Sequence, residues 1–115
     1  MIQIIPEPIT KMVLQSIAEG QFGDMVKAVV DIEKGIMAIG GELHADEEAL
    51  LLESGSRQEN LWGINLYPEL PEEEWLEFDS MINVRPSSAN PSRGVESPEI
   101  RNRILEIVRR LVING

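Results

Sequence analysis

His44 is the single histidine of the chain, and it stands in the stretch GGELHADEEALLL with Glu42, Asp46, Glu47 and Glu48 around it. One imidazole among four carboxylates within seven residues suits two kinds of chemistry. An imidazole held by a carboxylate is a general base, with His44 as the base and Asp46 as its orienter. The same groups are ligands for zinc or a hard divalent ion. A lone imidazole weighs against the metal, because zinc sites take three or four ligands and the others would have to be carboxylates from elsewhere. No metal and no cofactor is therefore expected. Helix physics also accounts for much of the cluster. Asp46 is expected to cap a helix through Glu47, Glu48 and Ala49–Leu52, closed by Gly55, with the glutamates in the first turn complementing the macrodipole. His44 and the pair Gly40-Gly41 are left without such an account.

A second constellation lies further on. In LWGINLY, residues 61–67, alternation puts Trp62, Ile64 and Leu66 on one face and Asn65 and Tyr67 on the other. In LEFDSMINVR, residues 76–85, it puts Phe78, Ile82 and Val84 opposite Asp79, Asn83 and Arg85. Asparagine is disfavoured inside strands, so Asn65 and Asn83 ask for a reason. With both apolar sets on the core, Asn65, Asn83 and Arg85 emerge together on the other side of the sheet, as a polar-ligand site or an interface. The loop that follows, RPSSANPSRG, adds Ser88, Asn90 and Arg93. Two arginines, hydroxyls, amides and a nearby helix start are the ingredients of an anion or carboxylate site. The same loop can equally be tied down by its own Asx and Ser turns.

These groups need elements to carry them. Residues 2–5 read as a strand and 8–19 as a helix ending near Gly20. The alternation of 25–33 gives a strand, and Lys34-Gly35 turns it into a second, IMAIGGEL, with Gly40-Gly41 as a bulge or close backbone approach. After the acid-first helix come strands 61–67 and 76–85. The acidic connection PELPEEE lies between them, and the long loop 86–96 follows. Ser97 as N-cap and Pro98 at the first helical position open a last helix, with Ile100, Ile104, Ile107, Val108, Leu111 and Val112 in one stripe. The order β-α-β-β-α-β-β-α predicts an α+β domain spanning 1–115. It is expected to be a two-layer sandwich with a mostly antiparallel sheet and the helices on one face; its first six elements have the order of a split βαβ (ferredoxin-like) arrangement.

Composition narrows the function classes. The chain has no cysteine, which removes disulfides, zinc–thiolate sites and thiol nucleophiles. The net charge of −10 argues against a nucleic-acid partner. Pro6 and Pro8 cut the apolar start short of a signal core or membrane span, so a cytoplasmic protein without a membrane partner is expected. Residues 1–84 carry 4 Lys/Arg against 17 Asp/Glu, whereas 85–115 carry 6 Arg against 3 Glu. A basic tail on an acidic body packs against that body or against a second copy. The phosphate loop, GxGxxG, HExxH and GxSxG signatures are all absent. Of the reactive pairs, only His44 could serve a serine as base.

The segments VDIEKGIMAIGGELHADEEALLLESGSRQENLWGINLYP, INVRP, NPSR and PEIRNRI resemble an uncharacterised family of small bacterial proteins, a domain of unknown function common in cyanobacteria. The resemblance runs from about Met25 to the last helix and implies an intact family domain. It brings no activity, substrate or cofactor. Two functions therefore stand: a binding module that self-associates as a homodimer or larger assembly, and a small enzyme or anionic-ligand-binding protein built on His44, Asp46, Asn65, Asn83, Arg85 and Asn90.

Overall fold

The computed structural model describes residues 1–114. In chain order the elements are β1 (Gln3–Ile5), β2 (Ile9–Thr10), α1 (Lys11–Gly20), β3 (Val26–Asp31), β4 (Ile36–Ile39), α2 (His44–Glu53), β5 (Leu61–Leu66), β6 (Leu76–Glu77), α3 (Pro98–Leu111) and β7 (Val112–Ile113). The main sheet has the order β1-β4-β3-β5-β6 with every neighbour antiparallel. A short parallel pair, β2 with β7, ties the start of α1 to the end of α3. The protein is an α+β fold. Among the described residues no helix is long and apolar enough to cross a membrane.

The helices do not share one face. Leu14 and Ala18 of α1 and Ile104, Ile107, Val108 and Leu111 of α3 pack with Ala28, Val30, Met37, Ile39, Trp62, Ile64 and Leu66. On the other side, Leu51 of α2 packs with Val29, Ala38 and Leu61. The reason lies in the central strands. β5 is buried at every position and β3 nearly so, and a sheet with apolar residues on both faces needs cover on both. The split βαβ comparison also stops at element order, since β1 sits at the sheet edge, antiparallel to β4.

Local chemistry sets the ends of the elements. Ser97 Oγ accepts from the Ile100 N–H and Pro98 opens α3, as the sequence predicts. The last helical turns of α2 close on Gly55, whose φ of 106° lets its N–H reach Leu52 O while the Ser56 N–H reaches Leu51 O. Two predicted strands are shorter in the fold. IMAIGGEL leaves the sheet after Ile39, because Gly40 takes a φ of 92° and passes so close to Met1 O that a Cβ there would collide with it. This is the close backbone approach rather than a bulge. The strand 76–85 ends at Glu77, and the chain winds into a 3₁₀ turn, Met81–Asn83, capped by Ser80 Oγ. Phe78 and Ile82 consequently pack on opposite faces of the sheet.

Candidate functional site

The register of the sheet decides which side chains meet. Lys27 lies opposite Asn65, Val29 opposite Gly63 and Asp31 opposite Leu61, so these share the α2 face; Asn65 in turn lies opposite Glu77. At one end of this face Leu51 covers Val29, Ala38 and Leu61, with the buried Asp31 and Ser56 side chains bonded to each other beside them. The other carries Lys27, Asn65 and Glu77, and the N-terminus of α2 rests over it. Between them is a cleft of about 250 Å³ lined by Lys27, Leu43, His44, Ala45, Asn65, Asp79, Met81, Ile82 and Arg93.

α2 starts three residues earlier than its acidic residues suggest. Leu43 is the N-cap, without a side-chain hydrogen bond, and His44 is the first helical residue. Asp46 is therefore not the cap. Its N–H already bonds to Leu43 O, and its side chain is exposed. The capping role has passed to Glu47, whose carboxyl reaches back to accept the Gly41 N–H at 2.9 Å. A Cβ on Gly41 would sit 2.8 Å from Glu47 Cγ, which explains the glycine. Glu47 is fully buried, and burial pushes its carboxyl up to about 9, so it is neutral at pH 7.

His44 is buried, and its Nε2 stands 2.8 Å from Ile64 O. A carbonyl only accepts, so Nε2 carries the proton and Nδ1 the lone pair. Burial, aided by the nearby Lys27 charge, lowers the pKa against the Ile64 hydrogen bond, which favours an uncharged ring. The group that orients the ring is Ile64 O, not Asp46, and the Asn65 side chain lies beside it. Asn65 Nδ2 donates to Glu77 Oε1 at 2.9 Å and to Asp79 O at 3.3 Å. That fixes Oδ1 as its acceptor; this oxygen is buried beside the His44 ring and receives no hydrogen bond from the described residues while that ring is uncharged. At the rim, Arg93 Nε pairs with Asp79 at 2.7 Å. Lys27 takes part in no ion pair among the described residues and stands 5.2 Å from the Phe22 ring centroid.

The remaining candidates from the sequence have structural duties outside the cleft. Asn83 is fully buried. Its Oδ1 accepts the Gly63 N–H at 2.8 Å and its Nδ2 donates to Gly63 O at 2.9 Å, so one side-chain amide pairs with the edge of β5 as a strand would. Asn90 Nδ2 donates to Asn83 O and Gly94 O, and its Oδ1 accepts the Glu96 N–H. The loop is thus held by its own amides. Arg85 stacks on Trp62, 4.4 Å from the ring centroid, and donates to Ile82 O and Leu61 O. Ser88 is exposed in the turn Pro86–Ser88. Of the predicted ligand residues the cleft brings together His44, Asn65 and Arg93. Sequence reasoning missed Lys27, whose signal was cross-strand register, and Leu43, Asp79 and Met81, which the start of α2 and the chain after β6 bring to the cleft.

No group of three or more His, Asp or Glu among the described residues is arranged to hold a metal. A second groove of about 290 Å³ is bounded by Lys11, Glu72, Trp75 and Arg109, and its charges are arranged as in the cleft, one ion pair and one lysine over a ring. Arg109 pairs with Glu72 at 3.2 Å, and Lys11 lies over Trp75. The basic tail is likewise engaged at home: Arg103 donates to Ile32 O and Arg110 to Gly35 O, across the β3–β4 turn.

The fold and the cleft define a small α+β domain with an antiparallel sheet, covered on both faces and polar at one end of one face. The chain belongs to the family DUF5674, proteins of unknown function, whose model matches residues 3–111. Neither curated proteins nor solved structures give a match.

Proposed function

We propose that the protein is a binding domain for a small polar molecule, seated in the cleft between the start of α2 and the Lys27/Asn65 end of the sheet. The observation that carries this reading is the Asn65 carbonyl oxygen. Leaving a buried acceptor unpaired costs about 1–3 kcal/mol, and such a group is retained where something else pairs with it. His44 stands beside it with Nδ1 as a second acceptor. The apolar contribution of Leu43, Ala45, Met81 and Ile82 and the single cluster of polar groups is the usual make-up of a small-molecule site.

The test is a fragment screen by ¹H–¹⁵N NMR on the uniformly labelled protein. Shifts gathered on Lys27, Leu43, His44, Ala45 and Asn65 are the expected result. Shifts confined to the Lys11–Trp75–Arg109 groove, or none, would overturn the reading.

Self-association is the second reading, and one observation favours it: Leu43 and Met81, at 55% and 66% exposure, form an apolar rim beside the cleft. Light scattering after size exclusion decides it, since a monomer at high micromolar concentration, indifferent to salt, removes it.

A further inference from the structure

The charged side chains that line the cleft are mostly basic, although the chain is acidic. The chain carries a net −10, yet the cleft contributes Lys27 and Arg93 against Asp79 alone. Arg93 is taken up by Asp79, which leaves Lys27 as a half-buried cation without a carboxylate partner. A cation partly removed from water gains from an anion that reaches it. Leu43, His44 and Ala45 all line the cleft, so the positive end of a ten-residue helix borders it as well. The first-turn carboxyl that would repel an anion there, Glu47, is buried and protonated, while Asp46 is turned to solvent. The cleft also holds the Asn65 side chain, whose Oδ1 needs an N–H or O–H donor, and the aliphatic side chains of Met81 and Ile82.

We infer that the ligand is a small carboxylate with a hydroxyl or amine on the adjacent carbon and a short branched apolar chain, its carboxylate on Lys27 and the helix start and its donor on Asn65 Oδ1. This identification of the ligand class rests on the cleft being a binding site. The volume of about 250 Å³ admits a molecule of this size.

Four probes and one anion control separate the contributions, read by NMR titration at low salt. They are 2-hydroxyisovalerate, valine, isovalerate, isovaleramide and inorganic phosphate. 2-Hydroxyisovalerate or valine is expected to bind most tightly, and which of the two wins tells hydroxyl from amine. Isovalerate, which lacks the donor, should bind about tenfold more weakly, and isovaleramide, which lacks the charge, weaker again. Lys27→Gln should cut the affinity for the best probe by about tenfold or more while leaving the melting temperature nearly unchanged. Equal binding of isovalerate and isovaleramide overturns the carboxylate, as does an unaffected Lys27→Gln variant. Tighter binding of phosphate assigns a phosphorylated ligand instead and overturns the inference too. So does the absence of shifts with every probe, and in that case the fragment screen alone decides whether the cleft binds anything.

Discussion

The two faces of the sheet are covered by different means. The face under α1 and α3 is closed by apolar side chains alone, from Leu14 through Trp62 to Leu111. The face under α2 packs apolar side chains only at one end, where Leu51 meets Val29, Ala38 and Leu61, and at the other it is built from Lys27, Asn65, His44 and Glu47. Apolar packing holds the first face, and hydrogen bonding with an uncharged buried acid holds the second. The contrast implies a division of labour. On the reading proposed above, one face carries most of the stability and the other presents polar groups to a ligand.

The largest break in this comparison is expected from α3. Ile107→Ala or Leu111→Ala, both at fully buried positions, should cost about 2–5 kcal/mol in denaturant unfolding. A cost under about 1 kcal/mol would remove the claim that this face carries the stability.

Next comes the polar edge. Asn83→Ala strands the Gly63 N–H and C=O and should cost about 2–3 kcal/mol, although it removes no apolar surface to speak of. Asn83→Asp keeps the acceptor but loses the bonds that Nδ2 donates to Gly63 O and Arg93 O, so it should not rescue the fold. Rescue by aspartate would mean the donated bonds are idle.

A subtler difference is pH dependence. Glu47 binds its proton up to about pH 9 when folded and titrates near its ordinary value of 4.5 when unfolded. Its contribution is full below pH 4.5 and is lost as pH rises towards 9, because the unfolded state releases the proton first. Glu47→Gln keeps an acceptor for the Gly41 N–H and does not ionise. Relative to wild type it should gain up to ~1.4 kcal/mol per pH unit within that window, measured as the midpoint difference between pH 5 and 8. Parallel curves would show that Glu47 is ionised in the folded protein.

The smallest effect belongs to His44. His44→Gln should change stability by about 1 kcal/mol or less, since one neutral hydrogen bond to Ile64 O is at stake. Binding in the cleft should nevertheless be lost. A variant that still binds would place the site elsewhere.

The sequence made part of this legible. Ser97-Pro98 and the stripe Ile104–Leu111 identify α3, and the alternation around Val26–Asp31 identifies β3. The near-continuous apolar runs AVV and IMAI already imply strands buried on both faces, which is incompatible with all helices on one side. Other features depend on distant partners. The period 78, 80, 82, 84 looks like a strand, but Ser80 caps a 3₁₀ turn and Asn83 finds Gly63 twenty residues away. α2 begins at His44 because Glu47, rather than Asp46, satisfies the chain before it, and that exchange needs Gly41 in place. Alternation alone makes Lys27 an ordinary polar position of β3, and only the register sets it opposite Asn65.

The division of labour is tested most directly by crystals of the wild-type protein soaked with a cocktail of small polar fragments. The account predicts ordered density in the cleft, with a donor atom within hydrogen-bond distance of Asn65 Oδ1 and the ligand against His44 and Lys27. Density only in the Lys11–Trp75–Arg109 groove, or a cleft empty in every soak, would contradict it.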